Sequence, residues 1–416
     1  MGLKRCGVVR FDSLDPHQGG WVSVDGEKAR RINGVGALDN DTLWWSNLTF
    51  NAMFETQLHR TPYIKRTTYL TSWNPSGEIV GQDEICLAWG LLTRNFPEQL
   101  ITEALSGIFS RTVRFAEQHY GLNIDREVPR YDNLADELRA LLLPQKDKHL
   151  TPEVDAALSS AHQYYANCIT SRFLEEDHVA VNFVAPAVPY AYEMLDLVVP
   201  AEQFDFLGSN QLPVPTRRLE WVLAQDRPVL ASVRVSDVNP EYSSVIAYGN
   251  GARSGTNRRW ATHPELLLLS KYARVEVDSV FLFGSYEKLA PSLQLPHFTK
   301  LQAMTPTAEI IASNHWISLA RENPYNLEQV RSPQERALSP RAAWLNAMDR
   351  FMMYTYAIQL YRAGITVRRY GAGRVTAVVP KYNYRDTYEI ASTIGLLAPP
   401  TISTDIRIQD GLQGYG

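Results

Sequence analysis

Residues 339–379 read SPRAAWLNAMDRFMMYTYAIQLYRAGITVRRYGAGRVTAVV. Ser339 can cap a helix, and Pro340 suits the first helical position, where its missing N–H costs nothing. Trp344, Leu345, Met348, Phe351, Met352, Ile358 and Leu360 then recur at helical spacing, and Tyr354, Tyr356 and Tyr361 fill much of the remaining circumference. A helix apolar nearly all round is an interior helix. Gly364 suits a left-handed cap at its end. Ile365–Tyr370 and Arg374–Val379 follow as strand-like runs split by Gly371-Ala372-Gly373, a short hairpin signal. A buried helix that leads directly into a hairpin predicts a mixed α and β core.

The flanking elements come in blocks. Residues 1–95 are expected to be β-rich, with strands at Gly7–Phe11, Trp21–Val24 and Tyr63–Trp73 and turns at Asn33-Gly34 and Asn74-Pro75-Ser76-Gly77. Trp44-Trp45 lies between polar residues and reads first as a pair packed under a loop and second, if exposed, as a contact surface. Residues 96–177 are expected to be helical. Pro97 opens a helix that Gly121 ends, Asp132 or Asn133 caps one through Leu143, and Pro144–Leu150 is a loop. Thr151-Pro152 opens a third helix carrying Val154, Leu158, Tyr165 and Cys168 on one side. Residues 178–416 are expected to be mixed. His178–Val188, Arg227–Val238, Val245–Tyr248 and Val275–Phe283 read as strands, and His263-Pro264 and Thr305-Pro306 open helices. Pro186, Pro189, Pro200, Pro213 and Pro215 predict irregular or edge strands. Blocks rather than strict β–α alternation predict an α+β fold. These three regions are the expected domains, or the parts of one large domain.

The 416 residues carry a net charge of −4, which excludes a protein that coats nucleic acid with its whole surface. Arginine outnumbers lysine by 32 to nine, and arginine is the residue of planar, stacked contacts and of interfaces. Cys6, Cys86 and Cys168 are odd in number and far apart, which excludes a disulfide framework and a zinc ribbon. The stretch Met1–Cys6 lacks the apolar run of a secretory signal, and Ile85 to Leu92 is too short to span a bilayer. The expectation is a cytoplasmic protein without membrane contact, or a virion component if the source is viral.

Two arginine-flanked glycine stretches stand out. Tyr248–Trp260 contains Gly249, Gly251, Gly255, Arg253, Arg258 and Arg259. Glycines let a backbone approach a phosphate, arginines pair with it, and Trp260 can stack on a base. The spacing fits neither the dinucleotide fingerprint nor a Walker loop. The second stretch is the hairpin tip, with Arg368, Arg369 and Arg374. Glu276 and Asp278 stand two apart on a strand and so share one face, as metal-holding carboxylates do. The following Phe281-Leu282-Phe283-Gly284-Ser285-Tyr286 resembles the Gly-Ser loop of minimal nucleotidyltransferases over about six residues. In that family the carboxylate pair follows the loop, whereas here it precedes it. The scattered histidines offer no metal-ligand spacing, so neither a metal site nor a cofactor is expected.

Three functions follow in order. The first is a self-assembling structural protein, a shell or capsid-type subunit forming a homo-oligomer larger than a dimer. It rests on nine Trp, 21 Tyr and the arginine excess. Trp44-Trp45, residues 248–260 and the 370–374 tip are its expected interface segments. The second is an RNA- or other nucleic-acid-binding subunit that uses Arg253, Arg258, Arg259, Trp260, Arg368, Arg369 and Arg374. The third is a Mg²⁺-dependent nucleotidyl-transfer enzyme built on Glu276 and Asp278.

Overall fold

Gly7 leaves room that a larger residue would take away. A Cβ there would meet the Trp44 ring at 2.5 Å, so the glycine lets β1 (Arg5–Phe11) lie directly against β4 (Thr42–Ser46). The computed structural model describes residues 5–70, 82–83, 86, 96–124, 133–142, 154, 157–158, 165–168, 178–201, 203–239, 241–242, 258–288, 295–299, 305–320, 340–381 and 384–397. The chain forms two compact units: residues 1–143 with 295–318, and residues 144–294 with 319–416.

The first unit is built on a five-stranded mixed sheet of order β3-β2-β1-β4-β5. β2 (Gly20–Val24) returns antiparallel to β1, and β3 (Arg30–Ile32) pairs antiparallel with β2. β4 and β5 (Ile64–Arg66) run parallel to β1. The β1, β4 and β5 strands therefore end on the same side. Trp44 and Trp45 are wholly buried in β4 rather than under a loop. Their ring N–H groups donate to the Asp39 carbonyl at 2.9 Å and the Cys6 Sγ at 3.1 Å. Three helices of this unit are α1 (Phe50–Glu55), α2 (Glu98–Tyr120) and α3 (Leu134–Leu142). α2 starts after Pro97, ends at left-handed Gly121, and packs Ile101, Leu105, Phe109 and Val113 against β1 and β2. Asn133 caps α3 by accepting from the Asp136 N–H at 2.9 Å.

The second unit holds two four-stranded sheets, of order β6-β14-β15-β7 and β11-β10-β12-β9, and a two-stranded β13-β8 ladder. β6 is Tyr165–Asn167, β7 His178–Val184, β8 Val198–Pro200, β9 Phe204–Leu207 and β10 Val229–Ser236. β11 is Arg258–Thr262, β12 Arg274–Phe283, β13 Tyr286–Lys288, β14 Val367–Gly371 and β15 Arg374–Pro380. Among the described residues its helices include α4 (Ala187–Leu195), α5 (Arg218–Leu223), α6 (His263–Tyr272), α8 (Pro340–Arg362) and α9 (Arg385–Thr393). α7 (Pro306–Ala320) lies between α6 and α8 in the chain, and most of it belongs to the first unit.

The α+β class is as expected, and so are the α8 helix and the β14–β15 hairpin. Only Ala372 and Gly373 lie beyond the last hairpin pair, and both have positive φ, 53° and 69°. That is the turn geometry matched to strand twist. α8 is an interior helix, with Trp344, Leu345, Met353, Tyr354 and Leu360 buried. Three expectations need correction. Tyr63–Trp73 is not one strand: β5 covers three residues, and Thr67–Tyr69 forms a 3₁₀ turn. Tyr165 lies in a strand, because β14 supplies an edge that the local helical spacing cannot anticipate. His178–Val188 ends as a strand at Val184, and Pro186 and Pro189 begin α4. A proline in the first helical turn removes only an N–H that has no partner there. The expected turn at residues 74–77, loop at 144–150, strand at 245–248 and cap at Ser339 lie outside the described residues. Among the described residues no helix is long and apolar enough to cross a membrane.

Candidate nucleic-acid interface

The residues singled out by sequence lie on different sheets. Arg258, Arg259 and Trp260 are on β11, an edge strand, where Arg258 stands opposite Arg234 and Trp260 opposite Ser232. Trp260 is half-buried and tilts over Phe281 at 5.1 Å, so its ring packs on the core. Arg253 lies outside the described residues. Glu276 is on β12 and forms ion pairs with Arg274 at 3.0 Å and Arg234 at 3.5 Å. Asp278 sits where the register slips: Ser279 pairs with Ser232 and Val277 with Val233, which leaves Asp278 as a β-bulge. Among the described residues no three His, Cys, Asp or Glu side chains are grouped to hold a metal ion.

The hairpin arginines are on the other sheet. Arg368 and Arg369 are half-buried on β14, and the Arg369 Nε donates to Thr376 Oγ1 at 3.3 Å. Arg374 is buried on β15. The tip itself is packed inside the unit. The Ala372 and Gly373 N–H groups both donate to the Asp349 carboxylate of α8, the latter at 2.9 Å, and Tyr190 Oη donates to it as well. Burial pushes the Asp349 pKa up to about 6 against the opposing pull of Tyr190, the two amides and Arg350. The neighbouring Arg350 is equally buried and pairs with Glu265 at 2.6 Å. Glu265 also completes the capping box of α6 with Thr262.

The first unit also holds a cleft that no sequence motif marks. It encloses about 790 Å³ and opens at the carboxyl ends of β1, β4 and β5. Ligands of open α/β sheets bind at that end, where diverging chains leave a crevice. Asn47 holds the mouth apart. Its side chain accepts from the Phe11 N–H at 2.9 Å and donates to the Phe11 carbonyl at 3.0 Å, replacing the backbone pairing that ends at Val9 and Ser46.

Thr49 then caps α1 by accepting from the Ala52 N–H at 3.2 Å. α1 buries Ala52 and Met53, which leaves Phe50 58% and Phe54 60% exposed on its other face. Those two rings stack at 6.3 Å, Phe54 stacks on His59 at 4.8 Å, and the Arg66 guanidinium lies 5.1 Å from the Phe50 ring. Asp12 is bound by Arg31, and Arg10 is bound by Asp83 and Glu98. The cleft is thus lined by Phe50, Arg66 and carboxylates already paired, and from Phe50 a solvent-facing aromatic row runs outward at its rim. An aromatic pair four residues apart reads in sequence as core; only its exposure shows otherwise.

No family model matches this chain, and no curated protein does. Among solved structures, Phi29 DNA polymerase complexed with primer-template DNA and incoming nucleotide substrates matches with a TM-score of 0.47 at 10% identity. The match covers 91% of this chain and 80% of that one. Phi29 DNA polymerase complexed with single-stranded DNA matches with a TM-score of 0.48 at 12% identity, covering 90% and 80%. The shell or capsid-type expectation is withdrawn, because two of its three interface segments are internal: Trp44 and Trp45 are fully buried, and Tyr370, Ala372 and Arg374 are buried at the hairpin tip. The homo-oligomer expected on those segments loses its footing with them.

Proposed function

We propose that the protein binds single-stranded nucleic acid in the cleft of its first unit. The observation that carries this reading is the exposed Phe50–Phe54–His59 row with Arg66 laid on its end, at the rim of a crevice. Burying an aromatic ring is favourable, so two phenylalanines left mostly in water on a short helix suit a partner with flat apolar faces. Unpaired bases have such faces, and every base can stack. Arg66 supplies charge for the backbone and can itself stack. A duplex hides its base faces and cannot use the row. Asp12, Asp83 and Glu98 do not repel the strand with full force, because arginines hold each of them. Arg253, Arg258, Arg259, Arg368 and Arg369 are the candidates for an additional phosphate contact in the second unit.

Fluorescence anisotropy with a labelled unpaired oligonucleotide tests the reading. Phe50→Ala is expected to weaken binding about tenfold, the value of one base–aromatic stack. Arg66→Ala is expected to lower the log–log salt slope by about 0.7. An excess of duplex should compete poorly. No binding at low salt, or a Phe50→Ala variant as tight as the parent, would refute the reading.

A further inference from the structure

Arg10 has an asymmetric set of partners. Its side chain is 7% exposed at the end of β1 and lines the cleft. On its inner side Nη1 donates to Gln82 Oε1 at 3.3 Å. Gln82 is itself buried and donates to the Trp45 carbonyl at 3.2 Å and to Thr67 Oγ1 at 2.9 Å. On its outer side Arg10 donates to Glu98 at 2.7 Å and Asp83 at 2.9 Å, and these side chains are 51% and 67% exposed. The neutral partner is fixed, whereas both charged partners stand in water.

The two sides of these ion pairs are therefore unequal. A guanidinium cannot deprotonate, and this one is held by its surroundings, so it must always have an anion. An exposed carboxylate regains its hydration when it swings out and gives up little. A phosphate oxygen entering the cleft offers Arg10 the same charge-assisted, two-pronged hydrogen bonds.

We propose that Arg10 is a phosphate receptor at the cleft floor, and that Asp83 and Glu98 are internal anions that occupy it until a phosphate displaces them. The nucleic-acid reading supplies only the identity of that phosphate, a phosphodiester; the anion chemistry stands without it. The two carboxylates then set a threshold for binding, since an incoming strand must compete with them.

Asp83→Asn combined with Glu98→Gln tests this, with two readouts. The variant is expected to bind the unpaired oligonucleotide about tenfold more tightly than the parent. Inorganic phosphate should raise its Tm by several degrees, beyond a chloride control of equal ionic strength. Adding Arg10→Gln to the same background should abolish both gains. Should the double variant not fold, Asp83→Asn alone keeps the Glu98 contact and carries the same signs at reduced size. Binding no tighter than the parent's, together with a Tm indifferent to phosphate, would overturn the proposal. So would gains that survive Arg10→Gln. A phosphate response through Arg10 with no oligonucleotide binding would support the receptor and remove the nucleic-acid reading. Oligonucleotide binding through Phe50 with neither gain would do the reverse.

Discussion

Two adjacent residues on α8 show what a single position can do. Asp349 and Arg350 are buried while Met348 between the turns is only half-buried. Apolar spacing puts Met348 inward and charges outward, because an unpaired buried charge costs too much. Here each charge meets its own partners: the hairpin tip for Asp349, the α6 start for Arg350. Those partners are far away in sequence, so the exception is invisible there. Asp349 also carries a pH signature. Its folded pKa is raised from 3.8 to about 6, so the fold holds the proton more tightly than the unfolded chain does. The stability contributed by the protonated form is full below the unfolded value and is lost as pH rises through about 6. In Asp349→Asn this dependence disappears. The stability of the parent relative to the variant should fall by about 2 kcal/mol between about pH 4.5 and about pH 7.5. Urea titrations at both pH values measure it. Burial lowers the pKa of His263, which works with the opposite sign but is common to both proteins and cancels. A constant difference between the two proteins would show that Asp349 keeps an ordinary pKa.

At the scale of elements, α1 depends on its cap more than a longer helix does. It has six residues, too few to hold together by propagation. Thr49 satisfies one of its free N–H groups, and Ala52 and Met53 anchor one face. Thr49→Ala should therefore loosen the platform that presents Phe50 without unfolding the unit. Faster amide exchange at Ala52, an oligonucleotide affinity several-fold lower, and a local cost of about 1 kcal/mol are expected. Unchanged exchange would mean that tertiary contacts alone hold α1. Element boundaries were readable wherever a local signal existed: Pro97 and Gly121 around α2, His263 and Pro264 at α6, and the glycines of the hairpin. They were misread where a neighbour decided. Tyr165–Asn167 is a strand because β14 pairs with it, and Pro189 is helical because nothing in the first turn needs its N–H.

For the molecule as a whole, the two units predict two unfolding transitions in calorimetry. Gly7→Val forces β1 away from the Trp44 ring and should lower only the transition of the first unit, by several degrees. Asp349→Asn should shift only the other. A single transition moved by both variants would show that the units unfold together. Composition, spacing and turn chemistry by themselves determined the α+β class, the interior helix at 340–362 and the hairpin after it. These rest on interactions among residues a few positions apart, which a linear reading contains. The tertiary structure alone decided which charges are buried, which tryptophans are core and which phenylalanines meet water. It also brought the ends of β1, β4 and β5 together with Glu98 to make a cleft. Exposure and cleft geometry depend on contacts between segments many tens of residues apart, and no local pattern encodes which of those segments will meet.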